Sequence, residues 1–280
     1  MKKDITMISI LIGSLLTIGN PGDSGHVKKT GDDYKLVWSE EFNKNGAVDT
    51  TVWQFEKGFV RNNELQWYQP QNAWCENGKL IIEARRETKT NPRYKEGSSD
   101  WREKRKEIEY TSASINTRHS KTWQYGRFEI RAKIIAQPGL WPAIWTLGVN
   151  GEWPWNGEID IMEYYKGDIL ANVATGTNKR WNAKWFSTHK AVSSFKPNWD
   201  QDFHVWRMDW DEHSIKFFVD DLLLNEVKLT DANNPDGSNP FKQPHYLLLN
   251  LAIGGDNGGD PSKTKFPSRY EVDYVRVYQK

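Results

Sequence analysis

The stretch Arg127-Phe128-Glu129-Ile130-Arg131-Ala132-Lys133-Ile134 alternates charged and apolar side chains almost without a break. A period of two is that of a strand with one face on a core and the other near water. The same signal recurs on either side. Residues 79–85, Lys-Leu-Ile-Ile-Glu-Ala-Arg, follow the turn pair Asn77-Gly78. Residues 270–278 alternate again at the end of the chain. Residues 214–219 and 222–227 flank Asp220-Asp221 and predict a tight hairpin. Residues 245–253 form a continuous apolar run that stops at Gly254-Gly255, and Leu36-Val37-Trp38 marks a further strand. No amphipathic helix of useful length competes with these strands. Many short strands parted by Gly, Pro and Asn turns predict an all-β antiparallel sandwich or jelly roll. The most polar stretch, residues 86–110, is expected to be a solvated loop. The alternative is that it walls a binding cleft at one end of the sandwich.

The composition narrows what such a sandwich does. Lys and Arg number 38 against 37 Asp and Glu, a formal net charge of +1 over 280 residues. That balance implies no polycationic surface for nucleic acid. One cysteine, Cys75, excludes an intrachain disulfide and a thiol-rich metal site. The six histidines show no metal-ligand spacing, so no catalytic metal or other cofactor is expected. Tryptophan is abundant at 15 residues, beside 11 Tyr and 11 Phe. Flat amphipathic rings that are not all needed in a core suit the apolar faces of sugars. The first residues, Met1-Lys2-Lys3, an apolar run from Ile8 to Ile18 and a polar stretch from Gly19 have the layout of a secretory leader. The expected organisation is a leader over 1–19, a linker over 20–33 and one catalytic domain over 34–280. The protein is then a secreted, periplasmic or cell-surface monomer with no membrane-spanning segment.

Gly157-Glu158-Ile159-Asp160-Ile161-Met162-Glu163 carries the chemistry. On a strand, Glu158 and Asp160 share a face while Ile159 and Ile161 point into the core. Glu163 falls on the wrong face unless one extra residue is bulged out, and Met162 is the natural one. Three acids on one face repel one another and serve stability poorly. Paired carboxylates, one a nucleophile and one an acid/base, are the machinery of glycoside hydrolysis. The aromatic approach Leu140-Trp141-Pro142-Ala143-Ile144-Trp145 and the lead-in Trp153-Pro154-Trp155 fit a sugar-binding groove.

With its inserted Met, this acid segment resembles the Glu-x-Asp-x-Met-Glu motif of glycoside hydrolase family 16, which contains laminarinases, mixed-linkage β-glucanases, agarases, carrageenases and endo-β-galactosidases. Trp38-Ser39-Glu40-Glu41-Phe42, Asn62-Asn63-Glu64-Leu65-Gln66, Tyr125-Gly126-Arg127-Phe128-Glu129 and the closing Val272-Asp273-Tyr274-Val275-Arg276-Val277-Tyr278 are similar to family segments in order, and the resemblance covers about residues 34–280. It implies a concanavalin-like jelly-roll sandwich with a concave substrate groove. It implies Glu158 as nucleophile, Asp160 as its assistant and Glu163 as acid/base. Sugar contacts are implied for Asn63, Glu83, Arg85, Trp141, Trp145 and Asn250, although Glu83 and Arg85 could equally be a plain ion pair. Relatives often carry a structural calcium on the convex side, for which Glu41, Gly78 and Asp273 are the candidate ligands by position.

The implied activity is endo-cleavage of a β-linked polysaccharide, a β-1,3- or mixed-linkage glucan first and a galactan or poly-N-acetyllactosamine-type glycan second. A non-catalytic binding module or a transglycosylase are remoter alternatives. One departure bears on the choice. Laminarinase-like members often have a His-x-Thr-Val-His segment after the catalytic strand, whereas this chain has Ala171-Asn172-Val173-Ala174-Thr175-Gly176. Residues 180–185, Arg-Trp-Asn-Ala-Lys-Trp, are the candidate for a distinct wall near the leaving-group side.

Overall fold

Two sheets, antiparallel but for one short parallel pair, build the computed structural model, which describes residues 33–280. The expected leader, and the linker up to its last residue, lie outside the described residues. The smaller sheet has seven strands. From edge to edge they are Ala183–Ala191, Asp168–Gly176, Glu158–Tyr165, Leu140–Gly148, His245–Ile253, Ser114–Asn116 and Gln54–Phe55. The main path of the larger sheet runs from Leu222–Lys228 through Ser214–Val219, His204–Trp210, Gly126–Lys133, Ser268–Gln279, Lys79–Thr90 and Ala73–Glu76 to Gly46–Ala47. Lys35–Glu40, Gln66–Tyr68 and Glu107–Ser112 join it off that path.

Side-chain alternation decides which residues meet between the sheets. On Gly126–Lys133, Phe128, Ile130 and Ala132 are buried to 1% exposure or less, while Glu129, Arg131 and Lys133 stay partly in water. On His245–Ile253 both faces are covered. Leu247, Leu249, Leu251 and Ile253 enter the core between the sheets, whereas Tyr246 and Leu248 pack with Ala143 and Trp145 on the opposite face. That opposite face of the smaller sheet is the floor of a groove. A strand buried on both faces reads as a continuous apolar run, as this one does. The hairpin between Ser214–Val219 and Leu222–Lys228 turns at Asp220, whose φ of 52° is the left-handed value such a turn needs.

The expected loop over 86–110 is shorter than its polarity implied. The strand from Lys79 continues to Thr90, and Glu107–Ser112 pairs back on it. Charged side chains that reach solvent do not stop the backbone from pairing. The remaining loop is fastened down. Asn91, buried, donates to the carbonyls of Arg102 and Arg105 at 2.9 and 2.7 Å. Arg102 donates to the Val60 carbonyl, and Arg105 to those of Asn63 and Glu64. The loop thus braces the segment that carries Asn63.

The calcium expectation meets a different arrangement. Arg276 grips the Glu41 carboxylate through two bonds of 2.9 Å, and Arg131 donates to Asp273 at 2.6 Å. Gly78 is a turn residue at φ 70°. A cation here would have to displace two guanidinium groups, so the donor set as folded does not fit calcium. Chelation is therefore expected to leave turnover intact and to move Tm by less than about 1 °C, below ~0.5 kcal/mol at this chain length. Melting curves with EDTA and with added calcium check this. A Tm drop in EDTA that calcium reverses would mean the arginines yield.

Candidate active site

The strand Glu158–Tyr165 lies mid-sheet, and its pairing is offset. Toward Leu140–Gly148, Asp160 faces Trp145 and Met162 faces Ile144, so Ile161 is skipped. Toward Asp168–Gly176, Asp160 faces Asn172 and Glu163 faces Leu170, so Ile161 and Met162 together oppose one residue. The bulge exists, but Ile161 shares it with Met162. Both side chains are buried to 0% exposure in the core between the sheets. Sending two consecutive apolar residues inward restores Glu163 to the face of Glu158 and Asp160, toward the groove.

Each acid has a defined neighbourhood. Glu163 accepts from the indole N–H of Trp141 at 2.8 Å and from the Asn172 amide at 3.1 Å. Glu158 accepts from the Trp153 indole. Asp160 is 1% exposed, and one of its carboxylate oxygens has no donor among the described residues. Burial pushes all three carboxyls above their ordinary range. Glu158 rises to about 7, first by burial and then through the charge of Glu163, against the pull of the Trp153 indole. Asp160 is raised well above its ordinary range, by burial and then by the charges of Glu163 and Glu158. Two carboxylates cannot hydrogen-bond unless one carries a proton. Asp160 lies within reach of both glutamates, so a proton held on Asp160 satisfies its bare oxygen.

Around the acids stand Trp145 and Asn250, joined by an indole-to-carbonyl bond of 2.7 Å, with Asn250 in turn donating to the Tyr68 hydroxyl at 3.1 Å. The Arg61 guanidinium lies 5.0 Å over the Trp145 ring. Asn63 is exposed at the end of the His245–Ile253 strand, where it donates to Asp256 at 3.0 Å. The groove continues past Trp145 to Tyr246 and Leu248, which line a recess of about 310 Å³ with Gln54, Asn116 and Arg118.

Glu83 and Arg85 do not join this group. Leu80, Ile82 and Ala84 take the core side of their strand, so Glu83 and Arg85 take the outer face of the larger sheet. There Glu83 accepts from Arg85 at 2.7 Å and from Arg269 at 2.8 Å, the ion-pair alternative extended by one more arginine. Conversely, the sequence assigns no role to Asn172, Tyr68 or Arg61, and marks Trp153 only as part of the aromatic lead-in, not as a donor to Glu158. Asn172 could have been found by register, since the turn at Lys166-Gly167 folds its strand back so that Asn172 faces Asp160.

Residues 62–276 match the family described as Glycosyl hydrolases family 16. A β-glucanase of Rhodothermus marinus is 38% identical over 299 aligned positions, covering all of this chain and 95% of that protein. The solved laminarinase from Rhodothermus marinus superposes with a TM-score of 0.72 at 38% identity, over 88% of this chain and 97% of its own. A structure from work on endo-acting O-glycanases, with which human gut bacteria initiate mucin breakdown, superposes at 0.79 with 36% identity, over 88% and 91%.

Proposed function

We propose a substrate and a mechanism for a chain that belongs to glycosyl hydrolases family 16 and is therefore a glycoside hydrolase acting on O-glycosyl bonds. It cleaves a β-1,3- or mixed β-1,3-1,4-linked glucan internally, with retention of configuration. The observation that carries the mechanism is the bulge that sets Glu158, Asp160 and Glu163 on one groove-facing strand, each with its proton affinity raised.

In this scheme the Glu158 carboxylate attacks the anomeric carbon while Glu163 gives its proton to the departing glycosidic oxygen. The Asp160 proton, donated to Glu158, favours the ionised nucleophile. Once Glu158 is esterified its charge is gone, the repulsion on Glu163 falls, and Glu163 takes a proton from water as it attacks. Trp141 and Asn172 hold Glu163 through both roles. The same donors steady Glu163 when it is charged.

The glucan assignment is supported by the glucanase and laminarinase relatives. A second substrate class, the galactose-containing O-glycan chains of mucins, is favoured by two observations. The superposition on the O-glycanase study's structure is better, 0.79 against 0.72. The strand Asp168–Gly176 also lacks histidine. A panel digest of laminarin, barley β-glucan, poly-N-acetyllactosamine and mucin O-glycans decides between them. The expected outcome is depolymerisation of the glucans; cleavage of the galactose-containing chains alone would replace the substrate. An open groove is expected to bind the chain internally, so early products are expected to be mixed oligosaccharides with rapid viscosity loss. Monosaccharide as the sole early product would overturn internal cleavage.

A further inference from the structure

Of the 15 tryptophans, thirteen are buried or partly buried, and Trp181 and Trp185 stand out at 54% and 46% exposure. Neither indole N–H donates to an acceptor among the described residues. Exposing two of the largest apolar side chains returns nothing to folding. Trp181 also sits at φ 63°, a left-handed conformation that a bulky residue adopts only at a cost.

Their placement is specific. Trp185 lies on the edge strand Ala183–Ala191, directly opposite Ala174, which lies opposite Glu158. Residues paired in this way share a face. The neighbouring Phe186 packs toward the core, so Trp185 is on the groove side. Two strand spacings put its backbone roughly 10 Å from that of Glu158, about the length of two pyranose rings. The residue between them is alanine, which leaves the path open. Trp181 lies in the adjoining turn, and that turn is pinned. The Thr177 hydroxyl bonds the carbonyls of Lys179 and Asn182 at 3.1 and 2.8 Å. Arg180 grips Glu152 at 2.9 and 2.8 Å while its guanidinium lies 5.0 Å over the Trp181 ring. Glu152 precedes Trp153, the donor to Glu158, so the turn is tied to the loop that touches the catalytic acid.

We propose that Trp181 and Trp185 form a carbohydrate platform, a distal subsite that holds the glycan chain about two rings from the point of cleavage by stacking on the apolar faces of its sugars. This rests on the glycoside hydrolase scheme above and extends it. A platform at that distance acts only on chains long enough to reach it, and it holds substrate and transition state alike. It therefore lowers KM for polymer without changing kcat.

The test uses the full chain and the polysaccharide that the wild-type enzyme cuts in the panel, laminarin first, with a short aryl glycoside as control. Trp181→Ala combined with Trp185→Ala is expected to raise KM for polymer about tenfold, with kcat and Tm unchanged and the aryl glycoside hydrolysed as before. Trp185→Tyr keeps a ring and is expected to restore most of the loss. In Glu158→Gln protein, which binds without turnover, the paired alanine changes should weaken polymer binding by the same factor. Unchanged polymer KM, or equal losses on long and short substrates, would overturn the platform. So would a change of oligomeric state with polymer KM intact, which would make the tryptophans a protein contact. Failure of the wild-type enzyme on every polysaccharide would instead sink the hydrolase scheme itself.

Discussion

Glu163→Ala is expected to lose hydrolysis of natural polysaccharide by about 10²–10⁴-fold, the usual worth of positioned proton transfer, and yet to keep the first step on an aryl glycoside with an acidic phenol. Such a leaving group departs without a proton. The second step still needs a base, so the glycosyl-enzyme should accumulate as a burst. Azide needs no deprotonation and should release it as a glycosyl azide of retained configuration. Glu158→Ala behaves differently. It removes the nucleophile, so even the activated substrate should react slowly. Azide entering the vacated space attacks from the side the carboxylate used and gives a product of inverted configuration. The measurement is product configuration by NMR with burst kinetics. Opposite configurations in the two variants would exchange the roles of Glu158 and Glu163. Full activity in both would remove the strand Glu158–Tyr165 from the chemistry. Trp141, whose indole donates to Glu163 at 2.8 Å, should lose that partner in Glu163→Ala without unfolding the protein, because its ring also packs edge-on against Tyr165.

What could be read from the sequence followed from periodicity and from local geometry. Residues 127–134 and 245–253 announce their strands because their side chains meet a core on one face or on both, and burial leaves a pattern in residue type. The bulge was legible because three acids with odd spacing make chemical sense only on one face. The choice of Met162 alone was less so, since Ile161 and Met162 are equally apolar and only the partner strands' registers show that they share the bulge. Glu83 and Arg85 mark the limit of resemblance in sequence. Alternation makes them neighbours on a face but does not tell which face of which sheet that is until Leu80, Ile82 and Ala84 are found packed inside. Asn172 was hidden because an amide on an otherwise apolar strand carries no signal by itself. Its meaning comes from standing opposite Asp160 and reaching Glu163. Polarity misled at residues 86–90 and 107–110 for a related reason, since composition reports solvent access whereas strand pairing depends on the backbone.

Glu158→Gln is expected to make the protein more stable above neutral pH while abolishing turnover. The carboxyl of Glu158 is raised from 4.5 to about 7 in the folded chain, mainly by burial. A raised carboxyl pKa means that folding disfavours the charged form. Below about pH 4.5 the folded and unfolded chains both hold the proton, and the residue makes no difference to stability. As pH rises toward 7 the unfolded chain releases the proton while the folded chain retains it, so stability falls with pH. Above about 7 both are ionised and the folded state bears the whole cost, roughly 3 kcal/mol at ~1.4 kcal/mol per pKa unit. Glutamine keeps the size of the side chain and an oxygen that accepts from the Trp153 indole, but it cannot ionise. It also relieves the repulsion that Glu158 exerts on Asp160. The variant should therefore melt with the wild type at pH 4 and above it by roughly 5–10 °C at pH 8, taking ~2–4 °C per kcal/mol for a chain of this size. Thermal melts across that range decide it. A constant difference at every pH would mean that packing, and not the buried charge, separates the two proteins. A lower Tm for the variant at pH 8 would mean that the Trp153 indole and the Asp160 proton outweigh burial, so that the folded chain favours the Glu158 carboxylate the nucleophile needs and bears no charge cost there.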